Sequence, residues 1–280
     1  MRKNVKQQLA LRVLSTAALM AMVSSIATAA FAAEYNVKDG SVEIVAKDGV
    51  QSITQWVNKD IGIYVQDDNG EDIRDREDSD IVLTTKGETT SNTVTITAEN
   101  KDDTANVTLE DVFINREGAR NSDSEAALTV KGDGDTNIEL NGNNTLSSTG
   151  GHAGLEKTDA ECSGTLTITD DKNNDTSDKR KDEDGYSTGG DTGTLDVIGG
   201  GEGGAGIGGQ GTNNYWDSSS DPGAPNIHST SNITITGGSI RAGQTPTGCD
   251  RDYHWATGAG IGSGNADYSK NAGNGTDITI

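Results

Sequence analysis

The chain of 280 residues carries 44 Asp+Glu against 22 Lys+Arg, a formal charge of −22, with 37 glycines and few aromatics. So acidic a chain excludes a nucleic-acid partner, because phosphates require a basic footprint. A hydrophobic share of 31% excludes a thick multilayer core. Beyond the N-terminus no run approaches the ~18 apolar residues of a membrane-spanning helix.

Residues 1–33 read as a signal peptide. Arg2, Lys3, Lys6 and Arg12 form a basic start, residues 13–26 are apolar and small, and Ala30-Phe31-Ala32 supplies the small residues of a cleavage site. Removing those four cations leaves 18 basic against 44 acidic residues, so the mature chain carries −26. The expectation is a secreted or extracellular protein, attached to a cell surface through a segment beyond residue 280. Mature sequence holds two cysteines, Cys162 and Cys249, in a compartment that permits one bridge between them.

From residue 34 onward a short apolar–polar–apolar triad recurs. It opens loosely as Val42-Glu43-Ile44, then returns as Val94-Thr95-Ile96, Val107-Thr108-Leu109, Leu128-Thr129-Val130 and Ile138-Glu139-Leu140. Further copies are Leu166-Thr167-Ile168, Leu195-Asp196-Val197, Ile233-Thr234-Ile235 and Ile278-Thr279-Ile280. Alternation of period two puts both aliphatic side chains on one face, so each triad predicts a short half-buried strand. A second motif, Gly204-Ala205-Gly206-Ile207-Gly208, returns as Gly258-Ala259-Gly260-Ile261-Gly262, with a degenerate copy around His152-Ala153-Gly154-Leu155. No helical period persists.

Repeated short strands that cannot bury their own apolar face predict stacked coils sharing one narrow aliphatic column. The fold class expected is all-β, a right-handed parallel β-helix, with residues 34–92 as an N-terminal cap and first coils and 93–280 as the repeat region. An antiparallel β-sandwich also has short strands with turn signals and is the alternative. Because the chain stops inside a triad at Ile280, a truncated C-terminus is expected.

The order Ile138-Glu139-Leu140-Asn141-Gly142-Asn143-Asn144-Thr145-Leu146, His152-Ala153-Gly154-Leu155-Glu156, Gly204-Ala205-Gly206-Ile207-Gly208-Gly209 and Asn232-Ile233-Thr234-Ile235-Thr236-Gly237-Gly238 resembles a known repeat region. It is similar to that of large secreted or surface proteins of clostridia and related Firmicutes, described as carbohydrate-binding-domain-containing or adhesin-like. The likeness covers roughly residues 90–280. It implies a right-handed β-helix on a bacterial surface that binds acidic polysaccharides or other glycans, with calcium in some relatives. The motifs are repeats, so no binding residue carries over from them.

Residue chemistry points the same way without fixing a site. Asp171, Asn173 and Asp175 alternate like the oxygen ligands of a calcium loop, and Asp182 stands where a terminal carboxylate belongs. Against that loop, Thr176 replaces the turn glycine and no helices flank it; a solvated polar spacer is the other reading. Tyr215 and Trp216 lie in one long loop, residues 210–231, and Tyr253 and Trp255 in another, residues 244–257. Their flat rings suit stacking on sugars, or else folding down over coil edges.

For catalysis, His152, His228 and His254 belong to no recognised triad or metal motif. His152 takes a glycine's place in the degenerate repeat and reads as a turn residue. A polysaccharide lyase would need a basic residue to abstract a proton, and Arg241 is the candidate, with a plain solvent-facing arginine as the other reading. The expected function is therefore a surface glycan-binding or adhesive module without catalysis. Alternatives are a calcium-dependent lyase-like β-helix and a structural stalk. No residue speaks to oligomeric state.

Overall fold

The computed structural model describes residues 33–116, 125–170, 193–200, 203–211, 228–244, 258–264 and 274–280. Nearly all regular structure in them is strand. Glu34–Ile280 clusters as one compact unit. It opens with β1 (Glu34–Asn36), a 3-10 turn at Val37–Asp39, and β2 (Ser41–Lys47). The chain then doubles back as β3 (Val50–Asn58), β4 (Ile63–Tyr64) and β5 (Arg76–Glu77).

A cycle of three strands follows. The first pass is β6 (Ile81–Thr84), β7 (Thr89–Thr90) and β8 (Val94–Ala98); the second is β9 (Thr104–Glu110), β10 (Phe113–Asn115) and β11 (Leu128–Lys131). Next come β12 (Asp135–Asn141), β13 (Asn143–Ser147) and β14 (Leu155–Glu156), then β15 (Leu166–Thr169), β16 (Thr194–Gly199) and β17 (Ile207–Gly208). β18 (Ile233–Ile235), β19 (Ser239–Gln244) and β20 (Ile261–Gly262) make a fifth pass, and β21 (Ile278–Thr279) begins another.

Strands at the same place in the cycle join the same sheet. The first sheet runs β1-β6-β9-β12-β15-β18-β21, and the second β7-β10-β13-β16-β19. In the third, β2-β8-β11-β14-β17-β20 are neighbours, and β3 and β4 extend it beyond β2. Every pairing between successive passes is parallel. Among the strands of the described residues, β2–β3, β3–β4 and β3–β5 are the antiparallel pairs. The fold is thus all-β with parallel sheets, and not the antiparallel pairing that a sandwich requires.

In-register parallel pairing sets like residues above like. Ile81, Val107, Ile138, Ile168 and Ile235 form one column of the first sheet. Val42, Val94, Leu128, Leu155, Ile207 and Ile261 form another in the third. Thr90, Ile114, Leu146, Val197 and Ala242 line up in the second. The strand spacing of ~4.8 Å lets each aliphatic side chain close over the one below. Full burial is worth about 1.5–3 kcal/mol per aliphatic side chain, so a narrow core suffices.

Corners between the first and second sheets are tight. Asp111 turns β9 into β10 at φ 51°, and Gly142 turns β12 into β13 at φ 62°. Asp tolerates this left-handed conformation better than most residues. Its carboxylate accepts from the Asn143 amide at 2.9 Å. A Cβ on Gly142 would stand 2.4 Å from that carboxylate oxygen, so the bracing of one corner makes glycine necessary at the next.

Beside β2, Trp56 and Tyr64 pack with ring centroids 4.3 Å apart. Buried Gln55 ties β3 to the chain start through its side-chain amide, which donates to the carbonyls of Asn36 at 2.7 Å and Gly40 at 3.1 Å. No helix among the described residues is long and apolar enough to cross a membrane.

Candidate functional site

The outward residues of the first sheet stack in rows, although the triads are offset by two residues between β12 and β15, so the residue before one triad meets the middle residue of the next. Asn106, Asn137, Thr167, Thr234 and Thr279 form one polar row, and Thr108, Glu139 and Thr169 a parallel one. A shallow groove of ≈370 Å³ runs between them. Asn137 donates its side-chain amide to the Asn106 side-chain oxygen at 3.0 Å. Gln51 braces the row from β3: its amide donates to the Asn106 carbonyl at 3.1 Å while its oxygen accepts from the Asn106 N–H at 2.7 Å. Thr169 borders this groove with a hydroxyl that has no hydrogen-bond partner among the described residues. The result is a braced ladder of amides, hydroxyls and one carboxylate.

A second concavity, of ≈240 Å³, lies on the outer face of the third sheet, where Thr95, Thr129 and Glu156 are in register. Here the His152 ring Nδ1 is 2.8 Å from Glu156 Oε2, and the Ala153 amide donates to the same oxygen at 3.2 Å. Gln210 brings its side-chain nitrogen to 3.4 Å from His152 Nε2. His228 Nδ1 in turn meets the Gln210 carbonyl at 2.7 Å. Lys131 and Glu161 close the rim as an ion pair at 3.2 Å.

Register explains where this pair came from. Leu155 aligns with Ile207 and Ile261, so the degenerate copy does occupy the place of the Gly-Ala-Gly-Ile-Gly elements. His152 and Glu156 therefore stand at the first and last glycine positions of the repeat. From the sequence alone His152 reads as a turn residue with no partner. The signal was present: two glycine positions, four residues apart, both changed to complementary polar side chains.

Beneath this site Lys157 is fully buried. It donates to the Ser231 carbonyl at 2.8 Å and the Cys162 carbonyl at 3.3 Å. Cys162 is a buried free thiol whose Sγ lies 3.8 Å from the Gly164 carbonyl oxygen. Burial pushes that thiol up from its ordinary value, and the Lys157 ammonium opposes the shift.

Arg241 sits on β19 with its side chain 85% exposed, 3.4 Å from Asp196 Oδ2. It borders neither concavity. The sugar-stacking candidates Tyr215, Trp216, Tyr253 and Trp255 lie outside the described residues. So do the calcium candidates Asp171, Asn173, Asp175 and Asp182, together with Cys249 and His254. Among the described residues no group of three or more His, Cys, Asp or Glu is placed to hold a metal ion.

Compared with known proteins, the chain matches no family model, no curated protein and no solved structure.

Proposed function

We propose that the chain is a right-handed parallel β-helix that serves, without catalysis, as a secreted glycan-binding or adhesive module at a cell surface. The observation that carries this reading is the braced polar ladder Asn106–Asn137–Thr167–Thr234 beside its open groove. A rung of hydrogen-bonding groups recurs every ~4.8 Å, about the length of one sugar ring, along a surface with no enclosing walls. An extended polysaccharide laid across the coils meets one rung per sugar. Amides, hydroxyls and carboxylates are the groups that pair with sugar hydroxyls. On this reading the strands β3–β5 cap the first coil, and Tyr215, Trp216, Tyr253 and Trp255 stack on sugar faces. Calcium held by Asp171, Asn173, Asp175 and Asp182 brings acidic polysaccharide to a chain of the same charge.

The test is retention of the full chain on a panel of plant and acidic polysaccharides in affinity gels. Replacing Asn137 with Ala and Thr167 with Val together reduces retention roughly tenfold, as expected for two lost polar contacts. Trp216→Ala and Trp255→Ala reduce it further, and so does chelation of calcium. A full chain that ignores a broad glycan array in calcium overturns the reading.

A further inference from the structure

The concavity on the third sheet differs chemically from the first-sheet groove. It gathers the carboxylates of Glu125, Glu156 and Glu161 around a single lysine, Lys131. Two of those charges are already answered: Lys131 pairs with Glu161, and Arg116 reaches Glu125 at 3.5 Å. Glu156 is different. It is only 6% exposed and accepts from the Ala153 amide. Its one ion-pair partner among the described residues is the His152 ring at 2.8 Å, a cation only when protonated, rather than a lysine or arginine. Withdrawing a carboxylate from water is costly unless hydrogen bonds and a nearby cation compensate. The hydrogen bonds are built in; beside a neutral imidazole, a cation from outside completes the set.

Hydroxyls surround that carboxylate. Thr95 and Thr129 share its row, and Thr158 borders the cleft with an Oγ1 that has no partner among the described residues. The Gln210 amide lines the same cleft beside His152. A ligand that satisfies these groups carries one ammonium for Glu156 and several hydroxyls for its neighbours. At ≈240 Å³ the cleft has room for about one sugar ring. We infer that it binds a hexosamine with a free amino group, at a site separate from the first-sheet groove. A uronate fits less well, since its carboxylate would face that of Glu156, the one not answered by a lysine or arginine.

The probe is D-glucosamine, titrated calorimetrically into the full-length protein at neutral pH beside D-glucose and N-acetylglucosamine. Glucosamine binds at least roughly tenfold tighter than either, the increment of one charge-assisted contact. Glu156→Gln removes that advantage. Lys131→Met, an exposed change that removes the only lysine of the site, tightens glucosamine roughly threefold. Equal affinity for the three sugars, or no heat from glucosamine at millimolar concentration, overturns the inference. If Glu156→Gln fails to fold, Lys131→Met decides alone: unchanged or weaker glucosamine binding overturns it.

Discussion

Gly208 on β17 stands in register with Gly262 on β20, 54 residues further along the chain. Both have positive φ, 128° and 134°. A Cβ on Gly208 would lie 2.1 Å from the Gly262 carbonyl oxygen. The recurrence of Gly-Ala-Gly-Ile-Gly is therefore a backbone requirement of neighbouring strands. Gly208→Ala combines a disfavoured dihedral with a backbone collision that no side-chain motion relieves. It is expected to cost about 3 kcal/mol or more, or to prevent folding. Gly243→Ala, where nothing described lies within 4 Å of an added Cβ, stays within about 0.5 kcal/mol. Urea unfolding of the two variants checks the contrast; equal losses would show that the glycine repeat is not a packing constraint.

Asn144 occupies an inward position of β13 that its neighbour Leu195 fills with an aliphatic side chain. Only 1% exposed, it accepts from the Val112 amide at 3.0 Å and donates to the carbonyls of Asn141 at 3.0 Å and Thr194 at 3.2 Å. One side chain thereby satisfies backbone groups of three successive passes. Asn144→Ala leaves those groups unpaired in a dry interior and is expected to cost about 2–4 kcal/mol. Asn143→Ala, next along the strand and exposed, costs less than about 1 kcal/mol. A thermal or urea denaturation series reads the difference.

Acid stability is expected to depend on Asp103. Its carboxyl is held below the ordinary value near 3.8, chiefly by the Gly49 amide at 2.9 Å. Burial opposes this, and the Asn100 backbone and side-chain amides, at 3.0 and 2.9 Å, reinforce it. A depressed folded value means stability that is fully present above the unfolded value and is lost as pH falls through the folded one. The wild-type chain should therefore lose part of its stability below about pH 4. Asp103→Asn starts lower and shows a flatter dependence over the same window. Denaturation midpoints between pH 6 and pH 2 test this, and parallel curves for the two proteins would refute it.

How far the sequence reaches differs between the fold and the sites. Each aliphatic triad, from Val42-Glu43-Ile44 to Ile278-Thr279, falls on a strand, because alternation is a local property of the chain. Which sheet each triad joins was not legible. Leu195-Asp196-Val197 belongs to the second sheet and Leu128-Thr129-Val130 to the third, yet both carry the same pattern as Leu166-Thr167-Ile168 in the first. The connections between passes vary in length, so position in the cycle cannot be counted along the chain. Arg241 had a chemically suitable side chain, but its register with Asp196 makes it half of an exposed ion pair.

By itself the sequence determined an acidic, thin-cored, all-β chain, since low hydrophobicity and period-two aliphatics permit little else. Its many glycines recur at fixed places in the Gly-Ala-Gly-Ile-Gly repeat. Only the tertiary structure decided that pairing is parallel and in register, which turns scattered outward residues into the Asn106–Thr234 ladder. It also decided that His152 and Glu156, at two glycine positions of one repeat, share a hydrogen bond in a cleft walled by Gln210. Stacking brings residues about 30 to 70 apart in sequence to one strand spacing, and no local pattern encodes which of them will meet.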